Sequence, residues 1–150
     1  MNTDRIALLW SVNPKGNYSD EHHLVGSVLA HMAHIERYGA VYWDLITDAN
    51  LEQFEDCYPM SGYLYCTDTK AVDYRVRILG ISFGPTSKNA MYVPTWRQYE
   101  NPESYLFILL DQIDKIFPSR KFRDFNKIID GRPVRRQPIG GFTRVRDPLY

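Results

Sequence analysis

The sequence predicts an α/β (α+β) domain whose strands form a small mixed β-barrel flanked by helices. Two neighbouring segments with alternating side chains, residues 61–67 and 74–83, support this prediction most strongly. Tyr63 and Tyr65 share one face of the first segment, and the polar residues 68–73 are typical of a hairpin loop. A chain of 150 residues is long enough to bury its own core, so we expect one domain over residues 1–150.

Strands and helices alternate in the first third of the chain. Residues 5–12 are apolar almost throughout, which indicates a central strand. A helix is expected to begin at Ser19, which suits an N-cap, and to end at Gly39. Residues 40–46 then predict a second strand, and residues 49–55 a short helix. The helix is expected to bury an apolar stripe of Leu24, Val28, Ala30, Met32 and Ile35.

The second half is expected to hold one long loop, a strand and a basic turn. Residues 84–101 have no sustained period, and loops of that length are often functional. Residues 104–113 predict a strand that runs to an edge near Lys115, with a helix as the open alternative. Residues 117–125 predict a basic and aromatic turn region. Residues 140–146 begin with a glycine pair and continue as a short strand.

Charge and cysteine content limit the setting of the protein. The formal net charge is zero, but acids outnumber bases by six to three in the first fifty residues, and bases outnumber acids by ten to six in the last fifty. The two cysteines form no Cys-x-x-Cys pair, which is typical of a reduced, cytoplasmic protein. No apolar run reaches the roughly 20 residues of a membrane helix, so no membrane contact is expected.

Metal binding and catalysis have little support in the sequence. All four histidines fall on the predicted helix, but His23 and His34 would be roughly 16 Å apart along it, too far to share one ion. We therefore expect surface histidines, no metal and no cofactor. The chain also has no nucleophile elbow, phosphate-cradling glycine loop or His-Glu-x-x-His pattern, so an enzyme is not expected.

Several short motifs resemble the PUA-like superfamily and, within it, the EVE domain, which is related in fold to the YTH readers of methylated RNA. The motifs are residues 8–13 (LLWSVN), 41–45 (VYWDL), 62–65 (GYLY), 74–78 (YRVRI) and 137–142 (QPIGGF). The chain departs from the EVE pattern where Ser61-Gly62 replaces a common Gly-Asp pair. It departs again where Leu9-Trp10 replaces a common Tyr-Trp pair.

The resemblance implies a PUA-like barrel with a pocket that receives a modified base turned out of a nucleic-acid strand. Such a reader needs flat aromatic walls, hydrogen-bonding groups on the base edge and cations on the phosphates. The residues expected to contact the base are Trp10, Ser11, Asn13, Trp43, Asp44, Tyr63, Tyr65 and Trp96. Those expected to contact phosphates are Arg75, Arg77, Arg132, Arg135, Arg136 and Arg144.

The expected function is non-enzymatic binding of nucleic acid with recognition of a modified base. DNA from a restriction or defence setting is placed ahead of RNA, only because proteins that resemble this one bind it. Two alternatives stay open, a PUA-type RNA-binding protein without dependence on modification and a peptide-binding interaction module. Whether a partner nuclease acts with the protein also stays open.

Overall fold

The computed structural model describes residues 5–14, 27–45, 47–94, 105–137 and 141–148. One α-helix and six strands are the main elements of these residues, beside short 3-10 helices. In chain order they are β1 (Ile6–Val12), α1 (Val28–Tyr38), β2 (Val41–Leu45), β3 (Met60–Cys66), β4 (Ala71–Phe83), β5 (Leu106–Arg120) and β6 (Phe142–Arg146).

All six strands belong to one mixed sheet with the order β2-β5-β4-β3-β1-β6. β1 and β3 are parallel, and the other neighbouring pairs are antiparallel. Within the described residues, β2 and β6 each pair with a single strand, so the sheet is open. The α+β class is therefore confirmed, whereas the expected barrel is not closed.

The apolar first strand lies inside the sheet, as its composition predicts. β1 pairs with β3 on one side, where Leu8 lies opposite Gly62, and with β6 on the other, where Leu8 lies opposite Arg144. Both of its faces are covered, which explains why nearly every residue of the strand is apolar.

Helix α1 begins at a serine and ends at a glycine. The side chain of Ser27 accepts a hydrogen bond from the backbone N–H of Ala30 at 3.3 Å, and Gly39 closes the helix with φ of 92°. The predicted end at Gly39 is confirmed, whereas the predicted start at Ser19 lies outside the described residues. No helix in the described part of the chain is long and apolar enough to cross a membrane.

The sheet carries a hydrophobic core on each face. The larger core packs against α1 and contains Trp10, Trp43 and Phe54, and the smaller core contains Tyr63 and Phe125. Phe54 comes from a short 3-10 helix over Leu51–Phe54, which confirms the expected short helix. The alternation of β3 is also confirmed, because successive residues contribute to opposite cores.

Strands β4 and β5 form a hairpin that is longer than the sequence predicts. β4 begins at Ala71, and β5 continues to Arg120, where Val72 and Arg120 are paired. The turn expected over residues 117–125 is therefore wrong in its first part. A register shift between Val72 and Tyr74 accommodates the extra residues of β5, so Pro118 sits in an irregular, exposed part of the strand.

Candidate functional site

A cleft of about 680 Å³ opens where β1 and β3 begin, beside the middle of β4 and β5. Ligand-binding pockets commonly have volumes of roughly 300–1,000 Å³, so the cleft is large enough for a small molecule or a nucleotide. The residues that line this Arg75 cleft are Arg5, Ile6, Asp56, Cys57, Tyr58, Pro59, Met60, Ser61, Arg75, Val76, Arg77, Gln112, Asp114 and Asp147.

The polar side of the cleft is built from cross-strand rows. Arg77 lies between Ser61 of β3 and Gln112 of β5 in the sheet register. Arg75 lies in the next row on the same face, directly opposite Asp114 of β5. Regular pairing over this stretch therefore places two arginines side by side, with polar neighbours on either strand.

Arg75 is held in place by two neighbours. Its Nε and Nη2 atoms donate to Oγ of Ser61 at 3.2 and 2.9 Å, and Nη2 lies 3.5 Å from Oδ2 of Asp147. The side chain of Asp147 is buried, whereas that of Arg75 is 37% exposed. The Nη1 group of Arg75 makes no hydrogen bond within the described part of the chain. Its two N–H donors remain available to a ligand.

Arg77 is the more accessible of the two arginines. Its side chain is 53% exposed, and Nη2 lies 3.1 Å from Oδ2 of Asp111. The other oxygen of Asp111, Oδ1, is buried and has no hydrogen-bond partner among the described residues. Asp111 therefore anchors the Nη2 side of the guanidinium group of Arg77, which lines the cleft.

The charges around the cleft cancel. The described residues that line it include three arginines and three aspartates, whose formal charges sum to zero. A ligand anion would thus be bound by directed guanidinium donors rather than by a broad positive field. This balance suits one phosphate or carboxylate group better than a long polyanion.

Tyr58 is the one aromatic residue among the described residues that line the cleft. Its side chain is half-buried. Burial raises the pKa of Tyr58 to about 12, so its hydroxyl keeps its proton at neutral pH. A ligand in the cleft would therefore meet a neutral phenol and an apolar ring.

The two described tryptophans lie inside the larger core and not in the cleft. Trp10 is fully buried and Trp43 is 4% exposed, with their ring centroids 6.4 Å apart in an edge-to-face arrangement. The ring of His31 stacks on Trp43 at 3.8 Å. Their ring surfaces are thus already in contact with protein. Trp96 lies outside the described residues.

Tyr63 and Tyr65 are also buried, on the opposite face of the sheet. Tyr63 packs against Phe125 at 5.0 Å and Tyr65 against Phe122 at 5.6 Å between ring centroids. The hydroxyl of Tyr63 donates a hydrogen bond to Asp147, which lines the cleft. Tyr63 therefore supports a residue of the cleft lining through its hydroxyl and presents no open ring face.

The polar residues expected to contact the base are spread over two strands. Ser11 is half-buried in β1, Asn13 is exposed just after that strand, and Asp44 is half-buried in β2. None of the three lines the Arg75 cleft. The structure does not bring them together with the two arginines of β4.

The arginines expected near the C-terminus lie outside the cleft as well. Arg132, Arg135 and Arg136 are exposed on the segment between β5 and β6, and Arg144 is half-buried in β6 opposite Leu8. Of the six arginines expected to contact phosphates, Arg75 and Arg77 are the pair that the cleft brings together.

The expectation of surface histidines is wrong for both described histidines of α1. His31 is 3% and His34 is 7% exposed, because this face of the helix packs on the sheet. Nδ1 of His31 lies 2.6 Å from the carbonyl oxygen of Ser27, and Nε2 of His34 lies 3.0 Å from that of Met91. No group of three candidate metal ligands occurs among the residues that the structure describes.

Of the polar residues in the cleft, the sequence interpretation identified only the two arginines of β4. Gln112 and Asp114 alternate at the point where the apolar part of β5 ends, a pattern that indicates one solvent-facing side. That signal was available in the sequence. No sequence pattern indicated Ser61 or Asp147, because their roles depend on contacts with Arg75 that form only in the folded chain.

Comparison with known proteins assigns no family to the chain. No protein-family model, no curated protein and no solved structure matches it. The resemblance to the EVE domain stays a prediction from the short motifs quoted above.

Proposed function

We propose that the protein binds nucleic acid without catalysing a reaction, and that the Arg75 cleft holds one nucleotide. The observation that carries this proposal is the pair of guanidinium groups on one face of β4, Arg75 and Arg77, inside a cleft of about 680 Å³. Arginine presents several N–H donors in a fixed plane, which matches the oxygens of a phosphate group.

The other groups of the cleft suit a nucleobase beside that phosphate. Tyr58 offers an apolar ring on which a base can stack. Asp114 is an acceptor for an exocyclic amine, and the carbonyl oxygen of the Gln112 amide is a second one, since its nitrogen donates to Asp114. The resemblance to EVE domains adds the expectation that the base is modified and that DNA is preferred over RNA.

Binding to a panel of oligonucleotides tests the proposal. The panel contains matched DNA and RNA, unmodified or carrying methylcytosine, hydroxymethylcytosine or N6-methyladenine, and fluorescence anisotropy is read at one salt concentration. A preference of tenfold or more for one modified base, about 1.4 kcal/mol, supports a modified-base reader. Equal binding to all RNAs supports an RNA-binding protein without modification dependence, and absence of binding overturns the proposal.

Arg77→Gln locates the interaction in the cleft. We expect weaker binding and a smaller salt dependence, with the slope of log K against log salt reduced by about 0.7–0.9. Arg37→Gln is the matched control, because Arg37 is an exposed arginine on α1 that does not line the cleft. Equal effects of the two substitutions would place the phosphate elsewhere.

A further inference from the structure

The end of β5 carries a basic and aromatic segment that does not belong to the Arg75 cleft. Residues 115–123, named here the basic arm, contain four basic side chains and no acidic one. Lys115, Lys121 and Arg123 are exposed and Arg120 is half-buried. None of the four forms an ion pair with another described residue. Asp114 and Asp124 flank the arm in the chain, and Ser119 donates a hydrogen bond to Asp73, so the positive charge of the arm is confined to these four side chains.

Phe117 stands out within the basic arm. Its side chain is 82% exposed, the highest value among the large hydrophobic residues of the described part of the chain. Nζ of Lys115 lies 5.4 Å from the centroid of the Phe117 ring. Nearby, Cζ of Arg123 lies 5.8 Å from the centroid of Phe122. Cations beside an exposed aromatic ring form the combination that binds phosphates and stacks a base.

Protection of a sheet edge explains only part of the basic arm. β2 pairs with β5 over Leu106–Leu110, so beyond that point β5 has no second neighbour among the described strands. Charges and a proline such as Pro118 hinder edge-to-edge association. An exposed phenylalanine has the opposite effect, so Phe117 calls for a different explanation.

The basic arm continues directly from the cleft. Asp114 lines the cleft, and Phe117 follows three residues later, so the two backbones are at most about 10 Å apart. A strand of nucleic acid that places one nucleotide in the cleft can therefore extend over the free edge of β5 to Phe117.

We infer that the basic arm binds the single-stranded segment next to the nucleotide in the cleft, with one base stacked on Phe117 and phosphates near Lys121 and Arg123. This inference rests on the proposed function. Single-stranded nucleic acid is the partner because stacking on a side chain requires an unpaired base. An anionic membrane fits less well, because interfacial segments present a row of apolar residues and the arm exposes one aromatic ring.

Phe117→Ala tests the inference, with Ile129→Ala as the matched control because Ile129 is 81% exposed in a turn outside the arm. The probes are a single strand of about ten nucleotides and a nucleoside 5′-monophosphate, the latter followed by NMR titration. We expect Phe117→Ala to weaken binding of the oligonucleotide about tenfold, about 1.4 kcal/mol, and to leave the monophosphate unchanged. Ile129→Ala is expected to change neither, and Arg77→Gln to weaken both.

Several outcomes would overturn the inference. If the Phe117 and Ile129 substitutions change oligonucleotide affinity equally, the basic arm has no specific role in binding. The proposed function is not affected by that result. If the wild-type protein binds neither probe, both the role of the arm and the proposed function are refuted. If a duplex of the same sequence binds as tightly as the single strand, the inferred preference for single-stranded nucleic acid is refuted. Phe117-dependent cosedimentation with phosphatidylcholine–phosphatidylserine vesicles, without an effect on the oligonucleotide, would make the arm a membrane-binding surface.

Discussion

Tyr63 and Asp147 are joined by a hydrogen bond between positions 84 residues apart in the chain. Asp147 also lies 3.5 Å from Arg75, and its side chain is only 3% exposed. The phenol and the guanidinium group together satisfy a carboxylate that would otherwise be costly to bury. The residue that follows β6 is thereby tied to the middle of β3 and β4, and the tie holds one wall of the cleft.

Tyr63→Phe is expected to lower the free energy of unfolding by about 1.5–3 kcal/mol, because it removes a hydrogen bond to a buried charged group. Urea denaturation measures the change. Tyr65→Phe is the matched control, since Tyr65 is 3% exposed on the same strand and no hydrogen bond of its hydroxyl occurs among the described residues. Similar losses for the two variants would contradict a specific role of the bond to Asp147.

The same hydrogen bond predicts a dependence on alkaline pH. Burial and the bond to Asp147 raise the pKa of Tyr63 above its usual value of about 10. Above pH 10 the unfolded chain therefore loses this proton while the folded protein keeps it, so stability falls as the pH rises. In urea denaturation across this range, we expect Tyr63→Phe to show a shallower decline than wild type. Parallel declines would show that Tyr63 does not contribute.

Gly62 allows Trp10 to pack against β3. A methyl group on Gly62 would lie 2.7 Å from Cζ3 of Trp10 and 2.7 Å from Cγ2 of Val76. We expect Gly62→Ala to cost about 1–3 kcal/mol, because the two side chains must leave well-packed positions. Gly80→Ala is the control, as a methyl group added to this glycine of β4 would have no neighbour within 4 Å. Thermal melting of both variants measures the difference, and an equal shift would show that the core at Trp10 yields easily.

Local alternation explains why the strands could be predicted from sequence. The apolar run of β1 indicates a strand that is buried on both faces, and the alternation in β3 and β4 indicates which side chains share a face. The same alternation places Arg75 and Arg77 on one face of β4. Closure of the sheet carries no such local signal, since it depends on whether β2 and β6 meet. The expected barrel failed for this reason.

The aromatic part of the candidate site was harder to predict for a related reason. Alternation places Tyr63 on a face, but residues far along the chain decide whether that face is open. In the structure Phe125 and Val134 cover it. Trp43 is covered by His31, a residue whose polarity suggested the surface. Distant segments thus bury the aromatic residues that the sequence suggested for a base pocket, and other residues line the cleft.

Because the imidazole of His31 is buried, we expect the protein to lose stability on mild acidification. Burial lowers the pKa of His31 to about 4, because the charged imidazolium would be desolvated beside Trp43. Between pH 6.5 and pH 4 the unfolded chain therefore takes up a proton that the folded protein does not, so stability falls as the pH decreases, by up to about 3 kcal/mol.

His31→Phe removes this titration while keeping a flat ring against Trp43. We expect the stability of the variant, relative to wild type, to improve steadily as the pH is lowered through this window. Urea denaturation at several pH values gives the comparison, and an NMR titration of the His31 ring protons measures the pKa directly. A constant difference between the two proteins, or a ring that titrates near 6.5, would contradict the expectation.

Substitutions at Trp43 and Tyr58 distinguish two possible binding sites, the aromatic pocket expected from the sequence and the cleft observed in the structure. Trp43 is 4% exposed, so Trp43→Ala is expected to cost about 3–5 kcal/mol of stability and to leave nucleotide affinity of the folded protein unchanged. Tyr58→Leu keeps apolar packing but removes the ring from the cleft, so it is expected to weaken nucleotide binding at a smaller cost in stability. Melting curves and anisotropy titrations of both variants give the two quantities. The opposite pattern, in which the folded Trp43 variant loses base discrimination and the Tyr58 variant retains it, would return the binding site to the tryptophans.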